Sequence, residues 1–395
     1  MNRLLFAIYL VSLVWSQQSL LGQQDQRPRA RDLGIQVGIF PHGPLNAITD
    51  VVGVKVGQVT VADGSRLNTG VTAIYPHNGS IYHDRVPAAL HVGNGYGKLL
   101  GVTQIRELGE LETPILLTCT LCVWQVADAM VAWLLEQPGM ENVRSLNAVV
   151  GETNDGGLND IRSRPIEPDH VREALTTAKS GPVEEGSVGA GRGTRAFGWK
   201  GGIGTSSRVL PESLGGFTIG ALVQSNFGGI LTIDGAPVGQ ELERYSFRET
   251  LDPESDPQTE LGGWESSDEG QGSIMIVIAT DAPLSPLKLE RLARRAIMGL
   301  SRTGSFAGNG SGDYVIAFST SKEVRRPLNQ TRLQLDEISN DQMSALFQSV
   351  VEATEEAIYN SILKATTVSG MGRTADAIDL TALKKVLQKF NVIPR

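Results

Sequence analysis

Gly270-Gln271-Gly272-Ser273-Ile274-Met275-Ile276-Val277-Ile278-Ala279-Thr280-Asp281 sets a serine between an acidic, turn-rich segment and an uninterrupted apolar run. The run from Ile274 to Ala279 is rich in β-branched residues and reads as a buried strand. Gly272 accepts backbone geometries closed to other residues and leaves its carbonyl open to attack by Ser273 Oγ. If the Gly272–Ser273 bond is cut, Ser273 becomes an N-terminal residue that carries both a hydroxyl and a free α-amine. An α-amine has a pKa of about 7.7–8.0, so near neutral pH much of it is unprotonated and can act as the base a serine hydroxyl needs. Such a nucleophile requires no histidine. A plain Gly-Ser turn leading into a strand is the simpler reading of the same dipeptide, and the rest of the chain has to decide between them.

Upstream, residues 249–270 hold eight acidic side chains and no Lys or Arg, with two prolines and three glycines. A charge block of this kind reads as a solvated linker. Because it ends at the junction, cleavage would let its tail swing away from Ser273; a surface loop with no further role explains the acidity equally well. Downstream, Ser285-Pro286 marks a helix start, and Leu289, Leu292, Ala293, Ala296 and Leu300 form one apolar stripe. Tyr314 to Phe318 reads as a second buried strand, and Asp341 to Ala365 as a long helix with Leu346, Val350, Ala357 and Ile358 inward.

Before the junction, Val54-Lys55-Val56 and Val71-Thr72-Ala73-Ile74 read as strands between Gly and Asn turns. Val123 to Gln137 has helical spacing and stops at Gly139. Ala148-Val149-Val150 and Phe217 to Val223 are further buried strands. Strands and helices in this mixed order predict layered sheets covered by helices.

With 395 residues, 41% hydrophobic content and 45 glycines, the chain is globular and loop-rich. A formal charge of −8 and the lack of any basic run argue against nucleic acid as a partner. Residues 1–22 read as an export signal: Arg3, a short apolar stretch from Leu4 to Trp15, and cleavage expected near residue 16 or 22. The apolar stretch is shorter than the roughly 20 residues a membrane span needs, so a periplasmic or secreted protein without stable membrane insertion is expected. Residues 23–44 read as an irregular lead-in, and 45–395 as a single catalytic domain.

Cys119-Thr120-Leu121-Cys122 has the C-x-x-C spacing of a redox pair. A thioredoxin-like site belongs to a smaller domain with the pair at a helix start after a strand, and both cysteines are read instead as packed residues. The five histidines are scattered, with no H-E-x-x-H motif, so neither a metal nor a cofactor is expected. The glycine-rich stretch from Gly186 to Gly204 fails as a phosphate loop, since Lys200 is followed by Gly201 where Ser or Thr is needed.

The order of several further motifs is specific. Leu45-Asn46-Ala47-Ile48-Thr49-Asp50-Val51 is followed by Gly151-Glu152-Thr153-Asn154-Asp155-Gly156-Gly157-Leu158-Asn159-Asp160. Then come Gly186 to Gly191, Lys200 to Arg208, Leu222-Val223-Gln224-Ser225-Asn226-Phe227-Gly228, the Gly272-Ser273 junction, Arg302-Thr303-Gly304-Ser305, Ser311-Gly312-Asp313 and Lys364 to Val368. In this order the chain resembles the self-processing aminopeptidases of the DmpA type (the P1 peptidase family), which includes L-aminopeptidase/D-esterase enzymes and β-aminopeptidases. The resemblance implies an α+β fold, a four-layer α/β/β/α sandwich of the kind shared with ornithine acetyltransferases, with autocleavage between Gly272 and Ser273.

It also implies an aminopeptidase acting on small peptides, amides or esters through an acyl-enzyme on Ser273, and a homo-oligomer. Acyl transfer of the ornithine-acetyltransferase kind is the second reading, although those enzymes carry threonine at the junction. A secreted binding protein that has lost catalysis is the third. Ser311 and Asp313, two residues apart, share a face if the following strand reaches back to them; the resemblance places them in the active site with Ser273, and a Gly-Ser-Gly-Asp turn is the structural reading. Asn226, at the end of a strand, is the candidate oxyanion donor, and Asn154 matches a family position near the oxyanion or substrate pocket.

Overall fold

The computed structural model describes residues 27–251 and 272–395. The export signal and all but the first three residues of the 249–270 segment lie outside them. The longer strands are β1 (Lys55–Ala62), β2 (Asn68–Tyr75), β3 (Asp84–Gly95), β4 (Ile115–Cys119), β5 (Val149–Thr153), β6 (Gly202–Val209), β7 (Thr218–Asn226), β8 (Ser273–Thr280) and β9 (Gly312–Ser319). The principal helices are α1 (Val123–Leu135), α2 (Pro168–Thr176), α3 (Pro286–Arg302) and α4 (Met343–Leu363).

A four-stranded sheet runs β1-β2-β4-β5, and a larger one has β3-β9-β8-β7-β6 as its main path. Each sheet contains one parallel pair, β4 with β5 and β8 with β9. A parallel pair needs a crossover long enough to return the chain to its starting end, and α1 and α3 lie in those two crossovers. Along β8 the side chains alternate: Ile274, Ile276 and Ile278 join the core shared with α3 and α4, while Met275, Val277 and Ala279 join the core shared with Ile74, Ile115 and Leu117 of the smaller sheet. The far face of that smaller sheet packs Val71, Ala73 and Leu116 against Val123, Val126 and Val171 of α1 and α2. The layers are therefore α/β/β/α, with β8 buried on both faces.

Burying one large aliphatic side chain is worth about 1.5–3 kcal/mol. β8 supplies five such residues and Ala279 to two cores, which fixes it firmly, and Ser273 is its first residue. The apolar stripe predicted for α3 is buried in full. Pro286 stands at its first turn as expected, but the Ser285 side chain makes no capping bond; its N–H donates to Glu337 Oε2 at 3.0 Å.

Residues 27–44 carry only the short 3-10 turn Arg31–Leu33, yet Ala30, Ile35 and Val37 are buried in the core. A buried ion network ties this segment down. Arg208 Nε lies 3.0 Å from Glu352, Arg208 Nη2 2.8 Å from Glu356, and Arg31 pairs with Glu356 at 2.9 Å. Asn46, from the first family motif, donates to the same Glu356 carboxylate. Removing one member of such a set leaves an uncompensated buried charge, typically costing about 3–5 kcal/mol.

Candidate active site

Ser273 sits where β8 begins, opposite Asn226 of β7 on one side and Gly312 of β9 on the other. Its hydroxyl accepts the Gly312 N–H at 3.1 Å, and the same N–H points to the Gly272 carbonyl at 3.2 Å. The carbonyl of the junction peptide is thus polarised by a fixed backbone donor while the serine lies beside it. Gly272 has φ of +154°, and a Cβ built there would stand 2.2 Å from Asn226 O and 2.5 Å from Phe227 Cα. Only glycine lets the chain pass this point with β7 and β8 still in register. Gly272→Ala is expected to slow or stop cleavage at the junction while leaving Ser273 in place; intact mass followed over days reads it, and cleavage at the wild-type rate would show that the glycine geometry is incidental.

Asp313 lies one residue into β9, and Ser311 just precedes the strand. The two side chains meet: Ser311 Oγ donates to Asp313 Oδ1 at 2.5 Å, and both residues are buried. The other carboxylate oxygen of Asp313 is buried without a hydrogen-bond partner. Burial pushes the Asp313 carboxyl up to about 6, with the Ser311 hydroxyl and the Ile274 N–H pulling the other way. The strand does not reach back to Ser311, and the two side chains meet instead through a direct hydrogen bond at its entrance.

Asn226 ends β7 beside the junction. Its Oδ1 accepts the Arg195 N–H at 2.9 Å, and its Nδ2 donates to the Asn154 carbonyl at 3.0 Å. These two bonds fix the amide plane and leave the second N–H of the group for another acceptor. Asn154 is exposed, and its side-chain oxygen is engaged by the Gly156 N–H at 2.9 Å. Its main-chain carbonyl accepts the Asn226 amide.

Ser273, Asn226 and Asn154 line one cavity of about 470 Å³, together with Gly272, Thr120 and Glu152. Glu152 is the single carboxylate among the described lining residues. It belongs to β5, is buried, and receives the Lys98 N–H on Oε1 at 2.9 Å and the Thr120 hydroxyl on Oε2. Burial raises its carboxyl above the ordinary range, while the Thr120 and Lys98 contacts favour the charged form. In the sequence Glu152 stands out only as a member of the Gly151–Asp160 motif. The signal available was a charged residue two positions after the apolar Ala148-Val149-Val150 run, still within the buried strand Val149–Thr153.

The glycine-rich stretch also borders this cavity, through Gly193, Arg195 and Gly198. Lys200 is fully buried and spends its ammonium on three carbonyls, those of Gly191, Thr194 and Gly201, at 2.8–2.9 Å. Burial pushes its pKa well below the ordinary lysine range, and what the site gains is three hydrogen bonds to main-chain carbonyls. They close the loop whose Arg195 N–H holds Asn226, so this lysine is structural. The two cysteines are buried as expected, but they are joined in a Cys119–Cys122 disulfide, and the pair stands at the end of a strand and the start of a helix, a placement not expected from the sequence: it closes the turn between β4 and α1.

This sandwich, with its junction beside a polar cavity, has the architecture of an N-terminal-nucleophile hydrolase. The solved L-aminopeptidase D-Ala-esterase/amidase of Ochrobactrum anthropi, described as a prototype for the serine aminopeptidases and a new variant of that fold, is 38% identical with a TM-score of 0.81, over 92% of this chain and 99% of that one. The PH0078 protein of Pyrococcus horikoshii is 41% identical with a TM-score of 0.82, over the same shares. Beta-peptidyl aminopeptidase BapA of Sphingosinicella microcystinivorans is 40% identical over 376 residues, 92% of each chain. The chain belongs to peptidase family S58, whose model matches residues 46–375.

Proposed function

We propose that this aminopeptidase cuts its own Gly272–Ser273 bond and then uses the freed Ser273 as an N-terminal nucleophile on small peptides, amides or esters. In the first step Ser273 Oγ attacks the Gly272 carbonyl, the C–N bond breaks, and the acyl group passes to oxygen. Water then hydrolyses the ester, leaving a Gly272 carboxylate and a free Ser273 amine. The observation that carries this reading is the junction itself: a serine at the head of a doubly buried strand, its scissile carbonyl held by Gly312 N–H, next to a glycine no other residue can replace without a clash.

In the second reaction the α-amine takes the proton of Ser273 Oγ as the hydroxyl attacks the substrate carbonyl. The remaining Asn226 N–H stabilises the oxyanion, a contact typically worth about 3 kcal/mol. The ammonium returns its proton to the leaving amine, and water resolves the acyl-enzyme by the same route. The unpartnered oxygen of Asp313 supplies a counter-charge for the new ammonium, and Ser311 orients that carboxylate. Glu152 receives the free amino group of the substrate, which is what makes the enzyme an aminopeptidase.

An aminoacyl p-nitroanilide with a free amine is expected to be cleaved, and its N-acetylated counterpart to lose at least about 100-fold in kcat/KM, since it brings no cation to pair with the buried Glu152 carboxylate. Equal cleavage of the two would contradict the assignment of Glu152. Export of the chain and assembly with copies of itself belong to the same proposal. The leader-like residues 1–22 support the first and the family resemblance the second. Exported protein should begin near residue 17 or 23, and material from the medium or periplasm that retains Met1 would refute the leader.

A further inference from the structure

Thr120 occupies an unusual place. It follows Cys119, the last residue of β4, and precedes Cys122, which caps α1, so the Cys119–Cys122 disulfide spans the turn that presents it. Cys119 and Cys122 are both buried, and their Cα atoms are 5.1 Å apart. A loop this short gains little global stability from a cross-link compared with a long one. Its effect is local: it fixes the direction in which Thr120 leaves the strand. Thr120 lines the cavity and gives its hydroxyl proton to Glu152 Oε2, while the Lys98 N–H takes Oε1. β4 and β5 are parallel neighbours with Thr118 beside Glu152 and Cys119 beside Thr153, so the turn emerges at the same sheet edge as the carboxylate.

We infer that Thr120, held by the Cys119–Cys122 disulfide, is a positioning residue that orients the Glu152 carboxylate toward the amino group of the substrate. With one lone pair of each oxygen engaged by protein, the carboxylate plane is set and its remaining lone pairs serve the cavity. A freely turning glutamate would have to be ordered by each substrate that binds, at a cost in affinity. The disulfide turn thus sets specificity for a charged amino terminus, without touching the reacting atoms. This inference rests on Glu152 being the ammonium site.

The test compares two p-nitrophenyl esters that differ only in the amine, alanine p-nitrophenyl ester and p-nitrophenyl propionate, on self-processed enzyme. Thr120→Val is expected to raise KM for the amino ester about tenfold, the loss of one hydrogen bond to a charged group, with kcat/KM for the propionate changing less than threefold. Thr120→Ser should restore the wild-type ratio. The joint Cys119→Ser and Cys122→Ser variant should lower the ratio in the same direction, and it carries the test if Thr120→Val does not fold. Equal losses on both esters, or an unchanged ratio in both variants, would overturn the proposal. Glu152→Gln separates the two levels. If it abolishes the preference for the amino ester while Thr120→Val does not, only the positioning role fails. If Glu152→Gln leaves the preference intact, the ammonium site itself is wrong and the role of Thr120 falls with it.

Discussion

Ser273→Ala is expected to yield one uncut chain with no measurable hydrolysis. The hydroxyl is used twice in the account, once against its own Gly272 carbonyl and once against substrate, so its removal stops both reactions. Loss of the nucleophile in a serine hydrolase removes about 10⁶-fold in kcat, which takes the variant below detection. The change is also structurally mild. Ser273 begins a strand whose stability comes from Ile274 to Ala279, and among the described residues its side-chain partner is the Gly312 N–H, which keeps the Gly272 carbonyl as an acceptor. The alanine variant should therefore melt close to the wild-type precursor. A processed or active Ser273→Ala protein would remove the nucleophile from this position.

Asp313→Asn is expected to divide stability from activity. The wild-type carboxyl is pushed up to about 6 by burial, against an ordinary value of 3.8. A carboxyl raised in the folded state destabilises the fold as pH climbs from about 4 through about 6, and that loss is then complete at neutral pH. Replacing the carboxylate by an amide removes the buried charge and keeps an acceptor for the Ser311 hydroxyl, so the melting temperature at pH 7 should be no lower than wild type. Hydrolysis should fall about 100-fold or more, since the new ammonium loses the carboxylate that faces it, a buried ion-pair loss typically worth about 3–5 kcal/mol. Stability of the uncut wild-type chain should fall as the pH rises from about 4 to about 6, and the variant should lack that change. Unchanged kcat would reduce Asp313 to a turn-capping residue.

Much of the sandwich was legible from side-chain pattern. The β-branched run after Ser273, the apolar stripe from Leu289 to Leu300 and the paired Val-rich strands near residues 54 and 71 each report their own burial, because a strand or helix shows its neighbours in its periodicity. The junction was legible for a different reason: Gly-Ser at the entrance to such a strand is a local arrangement whose chemistry follows from two adjacent residues. What the sequence did not show was set by pairing between distant strands. Glu152 enters the site because β5 lies beside β4, which brings Thr120 to its carboxylate. Asn154 carries an amide suited to binding, yet the fold turns that side chain onto Gly156 and uses its carbonyl to hold Asn226. The Cys119–Cys122 link is within reach of a C-x-x-C spacing, but its meaning depends on Thr120 having a partner 32 positions further along the chain. The acidic stretch before the junction, outside the described residues, keeps both readings its composition allows.

The central claim is that one chain becomes two at the head of β8. Denaturing electrophoresis, intact mass and N-terminal sequencing of the purified wild-type protein test it most directly. The account expects two fragments, the smaller beginning Ser273-Ile274-Met275. A single chain that stays intact on incubation, and still hydrolyses substrates with a free amine, would contradict it.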